Sequence, residues 1–381
     1  MQDIGVTTSE RPSTASVQSV RPPILSIVVP TFNETENLRE LVRRLEELLS
    51  GYDWEVVFVD DDSTDGSTST LFSLAQSNPR VRFLHRIGRR GLSSAVIEGI
   101  LSTSAPYVAV MDADLQHDEN CLLPMIEALR TSDCDVVIGS RYLLEGGIDG
   151  WNATRATISQ SATKIAQVLL HVRSTDPMSG FFMLRREAFN GSVRRLSVMG
   201  YKILLDILVS APKPLKIVEI PYVFRNRVHG ESKLDSAVAW EYIMLLLDKT
   251  IGRAIPVRFV MFMAVGGLGV IAHMLVLAML NRGFDVPFVQ SQLVAAMVAM
   301  TANFFANNAL TYRDKRLKTP RELILGLLSF YAVCSLGAVS NVGIAAVLFN
   351  EHFSWWLSGI SGILVGAVWN YAASSIFTWR K

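Results

Sequence analysis

Four long apolar segments in the last third of the chain restrict its fold more strongly than any other feature. They span about residues 257–280, 287–310, 323–349 and 355–378, and each is about long enough to cross a lipid bilayer. The polar connections between them are short. The pattern predicts an all-α membrane domain over 256–381 that consists of two helical hairpins.

The distribution of Lys and Arg between the polar connections predicts how this domain is oriented. The connection at 313–322 contains five Lys or Arg residues, whereas those at 281–285 and 350–354 contain one Arg between them. Basic connections favour the cytosolic side of a membrane, so we expect the middle connection and both termini to face the cytosol. Before the first span, residues 237–255 have the pattern of amphipathic helices that lie at the membrane interface.

The two hairpins contain an internal repeat. NFFANNALTYR at 303–313 matches NYAASSIFTWR at 370–380, and AVGGLG at 264–269 matches AVCSLG at 332–337. Duplication and shared membrane-interface chemistry are both open explanations, but the second does not account for the buried Asn. We interpret the intramembrane asparagines as contacts between helices rather than as the lining of a polar path. They are Asn303, Asn307, Asn308, Asn341 and Asn370.

Residues 24–236 have the alternating pattern of a soluble α/β domain. Strand-like runs at 24–29, 54–59, 81–85, 107–111 and 136–139 alternate with helix-like segments such as 36–49, 67–76 and 92–102. This alternation predicts a mainly parallel sheet covered by helices. Ligands bind such sheets at the carboxyl ends of the strands, where polar clusters fall at 30–33, 60–65 and 112–116. We therefore place the functional site at this edge.

The motif DADLQ at 112–116 predicts a divalent metal site. Asp112 and Asp114 follow an apolar run, and residues two positions apart in an extended segment point to the same side. Two carboxylates with Gln116 in reach suit Mg²⁺ or Mn²⁺ that carries a diphosphate. We expect the adjacent His117 to line the loop rather than to bind the metal.

The composition excludes some classes of function. A net charge of +1 provides no overall field that would attract nucleic acid. Cys121, Cys134 and Cys334 lack the spacing of a metal site, and we interpret them as reduced thiols, consistent with a cytosolic catalytic domain. Residues 1–23 are rich in Ser, Thr and Pro, and we predict a disordered tail without a targeting segment.

Several motifs in the α/β half resemble those of known enzymes. PTFNETEN at 30–37, VDDDSTDG at 59–66, GLSSA at 91–95 and DADLQ at 112–116 resemble the inverting GT-A glycosyltransferases of family 2. GSRY at 139–142, DPMSGFF at 176–182, GYKILLD at 200–206 and GESKL at 230–234 are similar to motifs of the dolichol/polyprenyl-phosphate mannose synthases. The membrane half resembles the GtrA-like four-helix domains found beside such enzymes. The resemblance implies a Rossmann-like GT-A catalytic domain over 24–236.

The resemblance also implies a donor site for a nucleotide sugar, GDP-mannose or UDP-glucose. The residues that would hold the nucleoside are Pro30, Phe32, Glu34, Val59 and Asp61. Those that would hold the metal and the diphosphate are Asp112, Ala113, Asp114 and Gln116. Phe32 stands where the family often has Tyr, so a hydroxyl contact is absent, and simple core packing is the other interpretation of this residue.

Basic residues further along the chain would form an acceptor site for a lipid phosphate. Arg provides a planar fork that suits a phosphate monoester. Arg155 and Ser159 are one helical turn apart and would share a face. The acceptor residues implied by the resemblance are Arg141, Arg155, Ser159 and Arg227, to which we add the basic Lys233; Asp112, Asp114, Arg141 and Arg227 would be the catalytic ones.

Together these patterns predict an enzyme in a lipid bilayer that transfers a hexose, preferably mannose from GDP-mannose, to a dolichyl or polyprenyl phosphate with inversion. One alternative is a UDP-glucose-dependent enzyme of the same mechanism, and another is a lipid-linked-sugar transporter with a regulatory soluble domain. A processive polysaccharide synthase is disfavoured because the sequence lacks a Gln-x-x-Arg-Trp motif. Homo-oligomerisation is left open.

Overall fold

Alternating strands and helices build the first unit of the chain, which ends at Thr250. The computed structural model describes residues 22–143, 147–148, 153–197, 200–225, 236–252 and 255–380. The strands of this unit are β1 (Leu25–Thr31), β2 (Trp54–Asp60), β3 (Val81–His85), β4 (Tyr107–Val110), β5 (Val136–Ser140), β6 (Gly147–Ile148), β7 (Phe182–Arg185), β8 (Ile217–Pro221) and β9 (Val223–Phe224). The helices are α1 (Thr35–Leu48), α2 (Ser67–Ser77), α3 (Leu92–Leu101), α4 (Leu122–Thr131), α5 (Ala153–Leu170), α6 (Arg186–Ser192), α7 (Ile203–Ser210) and α8 (Ser236–Thr250).

Seven of the strands form one mainly parallel sheet in the order β3-β2-β1-β4-β7-β5-β8. Only β7 runs antiparallel to its neighbours, β4 and β5. β6 and β9 form a separate two-stranded ribbon. The predicted Rossmann-like GT-A class is therefore confirmed, whereas the antiparallel insertion of β7 was not predicted.

Buried β-branched residues explain why both faces of the sheet are covered. On β1, Ile27 and Val29 pack in the same cluster as Leu38 of α1, whereas Val28 packs in the opposite cluster with Val96 of α3. A strand that is buried on both faces has a continuous apolar run rather than an alternating one. The run at 25–29 therefore places β1 in the centre of the sheet, with its carboxyl end at the site described below.

Helix α8 packs against α5 and α7 within the first unit. Leu245 is buried with Ala166 and Leu205, and the Tyr242 hydroxyl donates a hydrogen bond to the carbonyl of Ala162 at 2.6 Å. Near the end of α8, the Lys249 ammonium lies 2.6 Å from a carboxylate oxygen of the fully buried Asp206. Part of the apolar face expected at a membrane interface is thus covered by protein; the interfacial position of 237–255 stays a prediction.

Among its described residues, the second unit contains four helices that are long and apolar enough to cross a membrane. Their regular α-helical parts are α9 (Val257–Ala278), α10 (Phe288–Ala306), α11 (Pro320–Asn350) and α12 (Trp355–Ala373). α9 pairs with α10, and α11 pairs with α12. The number of predicted membrane helices and their arrangement in two hairpins agree with this structure.

The internal repeat brings equivalent residues into contact. α10 and α12 each end in a wider π-helical turn, at Asn307–Thr311 and Ser374–Thr378. Tyr312 and Trp379 follow these turns and stack on each other, with their ring centroids 4.1 Å apart. The contacts around them are reciprocal. The Tyr312 hydroxyl lies 2.8 Å from Ser375 Oγ, and the indole N–H of Trp379 donates to Asn308 Oδ1 at 3.0 Å; Asn308 and Ser375 are equivalent positions of the repeat.

The intramembrane asparagines lie at helix contacts, as the preferred interpretation predicts. A Cβ atom added to Gly269 would overlap the carboxamide of Asn303, and one added to Gly337 would overlap that of Asn370. These are equivalent pairs in the two hairpins. A Cβ added to Gly362 would meet Asn341 in the same way. Small residues on one helix therefore admit Asn from its neighbour, a packing mode common in membranes.

Candidate active site

Three loops follow β1, β2 and β4 and meet at the carboxyl edge of the sheet. Thr31 pairs with Asp60, and Val28 pairs with Val110. The pairing continues into the loops, because the Asp61 N–H donates to the Thr31 carbonyl at 3.0 Å and the Met111 N–H donates to the Val28 carbonyl at 3.2 Å. The three polar clusters of the sequence therefore lie along one edge.

Each of these loops contains a non-glycine residue with a left-handed backbone. The φ angles are 56° at Asn33, 59° at Asp62 and 60° at Leu115. Such a conformation costs about 1–3 kcal/mol and persists only where surrounding contacts hold it. Asn33, for example, accepts the Thr64 N–H at its Oδ1 and donates its own N–H to Ser63 Oγ, both at 2.9 Å. Strain in three adjacent loops is typical of a functional site.

The residues assigned to the nucleoside lie at the ends of β1 and β2 and on the loops that follow them. Pro30 pairs in register with Val59, whose side chain is fully buried in the core. The Glu34 carboxylate accepts a hydrogen bond from Asn37 Nδ2 at 2.7 Å. Phe32 is only half-buried, and the guanidinium of Arg90 lies 4.1 Å from its ring centroid, a cation–π contact. Phe32 therefore faces a cationic loop rather than the apolar core.

Asp61 holds the loop that carries Arg90. Its two carboxylate oxygens accept hydrogen bonds from Arg86 Nη1 at 2.8 Å and from the Gly91 N–H at 2.7 Å. Burial raises the pKa of Asp61, while the Gly91 hydrogen bond and the Arg86 charge act in the opposite direction. In this structure Asp61 thus connects the β2 loop to the segment between β3 and α3.

Asp112 and Asp114 lie on the loop after β4. Asp114 is only 3% exposed, and its Oδ1 accepts the Gln116 N–H at 3.2 Å. The Asp112 side chain is about one-third exposed, at 35%, and its backbone N–H donates to His117 Nδ1 at 3.1 Å. Burial lowers the pKa of His117 to about 4, so the ring is neutral near pH 7, and it stacks on Phe181 at 5.0 Å. His117 thus lines the loop after β4, as the sequence predicts.

Gln116 connects the loop after β4 to the chain that follows β9. The side-chain amide of Gln116 donates to the backbone carbonyl of Arg225 at 2.8 Å. The backbone carbonyl of Gln116 accepts the Arg225 N–H at 3.0 Å. The guanidinium of Arg225 lies 2.9 Å from Asp118 Oδ1. The predicted role of Gln116 as a metal ligand stays a prediction; the structure shows it as the link to Arg225.

The donor set suits a metal that arrives with its substrate. Among the described residues, no group of three or more His, Cys, Asp and Glu side chains is close enough to hold a metal alone. Mg²⁺ is usually bound by one or two carboxylates together with substrate phosphates and water. Two neighbouring carboxylates, one of them partly exposed, therefore fit a metal–diphosphate complex better than a closed structural site.

Arg141 forms a bidentate ion pair with Asp176. The distances are 2.7 Å from Nε to Oδ2 and 2.8 Å from Nη2 to Oδ1, and the Arg141 N–H donates to Oδ2 at 3.2 Å. Asp176 is fully buried, and the Arg141 side chain is 9% exposed. Burial alone would lower the pKa of Arg141, but the hydrogen bonds and charge of Asp176 raise it. Arg141 is therefore a permanently charged group held in one orientation.

The structure describes only some of the other predicted acceptor residues. Ser159 lies on α5, and its Oγ is 2.9 Å from the Tyr142 hydroxyl, next to Arg141 in the chain. Arg155 lies one turn earlier on α5. Arg227 and Lys233 lie outside the described residues, and the described chain stops at Arg225 before resuming at Ser236.

Two residues that contact this site, Asp176 and Gly180, were not predicted from the sequence. Asp176 and Gly180 both belong to the DPMSGFF motif, which was identified but not interpreted. A Cβ added to Gly180 would lie 3.2 Å from Asp112 Oδ2 and 3.4 Å from His117 Cε1. The signal in the sequence was the motif itself. An Asp within an apolar segment indicates a buried partner of opposite charge, and a Gly there indicates that a neighbouring side chain approaches the backbone closely.

Comparison with known proteins assigns this arrangement to a family. Residues 26–191 match the family model "Glycosyl transferase family 2", and residues 261–379 match "GtrA/DPMS, transmembrane domain". The dolichol-phosphate mannosyltransferase of Pyrococcus furiosus is 34% identical over 364 residues, covering 93% of this chain and 99% of that protein. The chain belongs to the dolichol-phosphate mannosyltransferase family. It is therefore a glycosyltransferase and, with its four apolar helices, a multi-pass membrane protein.

Other relatives match a smaller share of this chain. The dolichol-phosphate mannosyltransferase of Saccharomyces cerevisiae is 37% identical and covers 58% of this chain and 85% of its own length. Among solved structures, glucosyl-3-phosphoglycerate synthase from Mycobacterium tuberculosis, crystallised with Mn²⁺, UDP-glucose and phosphoglyceric acid, is 19% identical. It covers 60% of this chain and 80% of its own, with a TM-score of 0.44. The predicted family, fold class and enzyme type are confirmed.

Proposed function

We propose that this member of the family transfers mannose from GDP-mannose to dolichyl or polyprenyl phosphate and releases a β-linked lipid phosphomannose. The observation that carries the proposal is the similarity to the P. furiosus dolichol-phosphate mannosyltransferase, which extends through both the catalytic and the membrane unit. The polar edge of the sheet, with Asp112 and Asp114, is consistent with a nucleotide-sugar site.

In this proposal the loops after β1 and β2 hold the nucleoside, and the loop after β4 holds the diphosphate. Asp112 and Asp114 would bind Mg²⁺ or Mn²⁺, with Gln116 beside them. The metal, when bound, supplies positive charge that stabilises the departing nucleoside diphosphate. The chain contributes by holding this loop, since the Asp114 carboxylate accepts the Gln116 N–H and the backbone N–H of Asp112 donates to His117.

The acceptor side of the reaction requires binding rather than deprotonation. A phosphate monoester is already ionised near pH 7, because its second pKa is near ~6, so no strong general base is needed. The task of the enzyme is to hold two anions against their repulsion. Arg141, oriented by Asp176, would hold the lipid phosphate together with Arg155, Ser159, Arg227 and Lys233. Support for Arg227 comes from Arg225, two residues earlier, which is held on the loop after β4.

A single in-line displacement follows from this division of roles. The acceptor oxygen attacks the anomeric carbon as the bond to the diphosphate breaks, so an α-linked donor gives a β-linked product.

The proposed orientation places the catalytic unit in the cytosol, where nucleotide sugars are made. Both termini and the basic connection 313–322 would face the same side. Cysteine accessibility on either side of sealed vesicles tests this orientation.

A panel of donors tests the proposed substrate. The purified full chain is given a short polyprenyl phosphate, Mn²⁺ or Mg²⁺, and labelled GDP-mannose, UDP-glucose or other nucleotide sugars. GDP-mannose is expected to be the best donor, and Asp114→Asn is expected to lose at least about two orders of magnitude in rate because a metal ligand is lost. Asp133→Asn, remote from the site, is the matched control.

Each outcome of the panel separates the alternatives. Preference for UDP-glucose would retain the mechanism but replace the donor. Turnover that is unaffected by EDTA or by Asp114→Asn would contradict the metal assignment. Failure with every donor, combined with movement of a lipid phosphosugar across vesicles, would favour the transporter hypothesis.

A further inference from the structure

A cavity of about 440 Å³ lies in the second unit, where the connection after α10 folds back towards the start of α11. Its lining combines apolar side chains with two cations. The lining residues are Phe305, Asn308, Ala309, Arg316, Leu317, Lys318 and Leu323. Phe305, Ala309 and Leu323 belong to the long apolar helices, whereas Leu317 and the two cations belong to the basic connection.

The connection is held in place by Asn308 and Leu317. Asn308 Oδ1 accepts the Leu317 N–H at 2.9 Å, and its Nδ2 donates to the Leu317 carbonyl at 3.1 Å. The Leu317 side chain is 7% exposed and packs with Phe304 and Phe330. Because Leu317 is fixed on both its backbone and its side chain, the residues on either side of it, Arg316 and Lys318, are held at the cavity.

The acidic groups of the same connection bind partners other than the Arg316 and Lys318 side chains. Asp314 Oδ2 lies 2.7 Å from Arg258 Nη2. Glu322 accepts the backbone N–H groups of Lys318 and Thr319, at 3.0 and 3.2 Å, in the capping box of α11. Within the described part of the chain, neither Arg316 nor Lys318 has a carboxylate within 4.0 Å. The cavity therefore has a net positive rim and an apolar wall.

We propose that this cavity binds an anionic glycerophospholipid, with its phosphate between Arg316 and Lys318 and an acyl chain along Phe305, Ala309 and Leu323. The charge complementarity is local, since a phosphate placed there meets two cations that form no ion pair with a described carboxylate. The apolar wall continues the surface of the membrane helices; Phe305 is 49% exposed. Basic pockets between membrane helices bind phospholipid head groups in this way. Its lining shares no residue with the acceptor site of the proposed reaction.

Lipid binding to the purified full chain, followed by native mass spectrometry in mild detergent, tests the proposal. The probes are short-chain phosphatidylglycerol, phosphatidylcholine of equal chain length and sn-glycerol 3-phosphate. We expect phosphatidylglycerol to bind at least about tenfold more tightly than phosphatidylcholine, because each cation near a membrane favours an anionic lipid. Arg316→Gln with Lys318→Gln should remove this preference.

Two further variants keep the test specific. Lys315→Gln with Arg321→Gln removes the same charge from the same connection but not from the cavity lining, and should keep the preference. Ala309→Leu keeps both cations and fills the apolar wall, so it should weaken phosphatidylglycerol binding at unchanged charge. Equal losses in the two double variants would overturn the proposal in favour of net charge alone. Binding of glycerol phosphate as tightly as the lipid, or displacement of the lipid by a short polyprenyl phosphate at equal concentration, would also overturn it.

Discussion

At the scale of single residues, Gly180 leaves the space that the Asp112 carboxylate occupies. An Ala side chain there would lie 3.2 Å from Asp112 Oδ2, which is close enough to require a shift of a few tenths of an ångström. Gly180→Ala should therefore lower kcat/KM about tenfold and raise the metal concentration needed for half-maximal rate, because small displacements at a reacting site are costly. Metal titrations of the transfer reaction measure both effects.

Gly191→Ala is the matched control for this substitution. Its added Cβ would meet only Pro212, at an ordinary contact distance of 3.6 Å. An equal loss of activity in both variants, or an unchanged metal requirement in Gly180→Ala, would show that the carboxylate position is not what Gly180 protects.

Asp176 is expected to orient Arg141 for the acceptor. Asp176→Asn leaves a largely buried guanidinium without its counter-charge, which costs about 3–5 kcal/mol of stability. The melting temperature should fall, and the KM for the lipid phosphate should rise while affinity for the nucleoside diphosphate is retained. Acceptor kinetics and nucleotide titration of the same preparation separate these effects.

Glu55→Gln provides a comparison at the other end of the sheet. Glu55 pairs with Arg82 at 3.0 Å near the start of β2. This variant should lose stability without a change in acceptor KM. If the acceptor KM changes equally in both variants, Asp176 acts only through stability.

At the scale of secondary-structure elements, a buried ion pair fixes α8 to α7. Lys249 is 8% exposed in its side chain, and Asp206 also accepts the Ser197 N–H at 2.8 Å. Lys249→Met should lower the stability of the first unit by about 3 kcal/mol, because it leaves an unpaired buried carboxylate. Adding Asp206→Leu should restore part of the loss. Thermal unfolding of the full chain in detergent measures both steps.

The exposed pair Lys216–Asp133 is the control for this cycle. Lys216→Met should leave the unfolding temperature unchanged, since exposed ion pairs contribute little. A Lys249→Met variant of wild-type stability would favour the interfacial position that the sequence predicts for this residue.

The two membrane hairpins depend on matching glycines. Gly269→Ala and Gly337→Ala should each reduce thermal stability in detergent, because the added methyl group overlaps the carboxamide of Asn303 or Asn370. Gly267→Ala should have no such effect, since no heavy atom lies within 4 Å of its added Cβ. Similar losses at the two equivalent positions are expected; a loss in one hairpin alone would contradict their equivalence.

The elements themselves were largely predictable from sequence, but their long-range partners were not. The strand predicted at 81–85 is β3, and the helix predicted at 67–76 is α2 with one further residue. Local periodicity contains this information. Local pattern cannot identify partners that lie 35 to 109 positions apart in the chain. Examples are the antiparallel pairing of β7, the Arg141–Asp176 pair and the Gln116–Arg225 link. Likewise, the acidic motif predicted Asp112 and Asp114, but not that Gly180 would contact one of them.

At the scale of the whole molecule, chemistry and membrane attachment are expected to be separable. The proposed catalytic residues all precede residue 236, and α8 belongs to the first unit through Lys249. A protein truncated after Gly252 should therefore still glycosylate a short, detergent-dispersed polyprenyl phosphate. It should lose most activity towards long acceptors in liposomes, because the membrane helices keep the enzyme near its acceptor. Rates with both acceptors, compared with the full chain, test this. A folded but inactive truncated protein would place an essential residue in the membrane unit.

The reciprocal contacts of Tyr312 and Trp379 have a consequence for the origin of the membrane unit. Tyr312 of the first half contacts Ser375 of the second, and their counterparts Trp379 and Asn308 contact each other. Such reciprocal contacts are those of two identical copies in a symmetric dimer. A single ancestral hairpin that paired with itself would have had the same contacts, with one gene specifying both sides. Fusion of two copies allows the sides to diverge, and Tyr opposite Trp, with Ser opposite Asn, is such a divergence. Substitutions at these four positions are therefore expected to be coupled across the repeat.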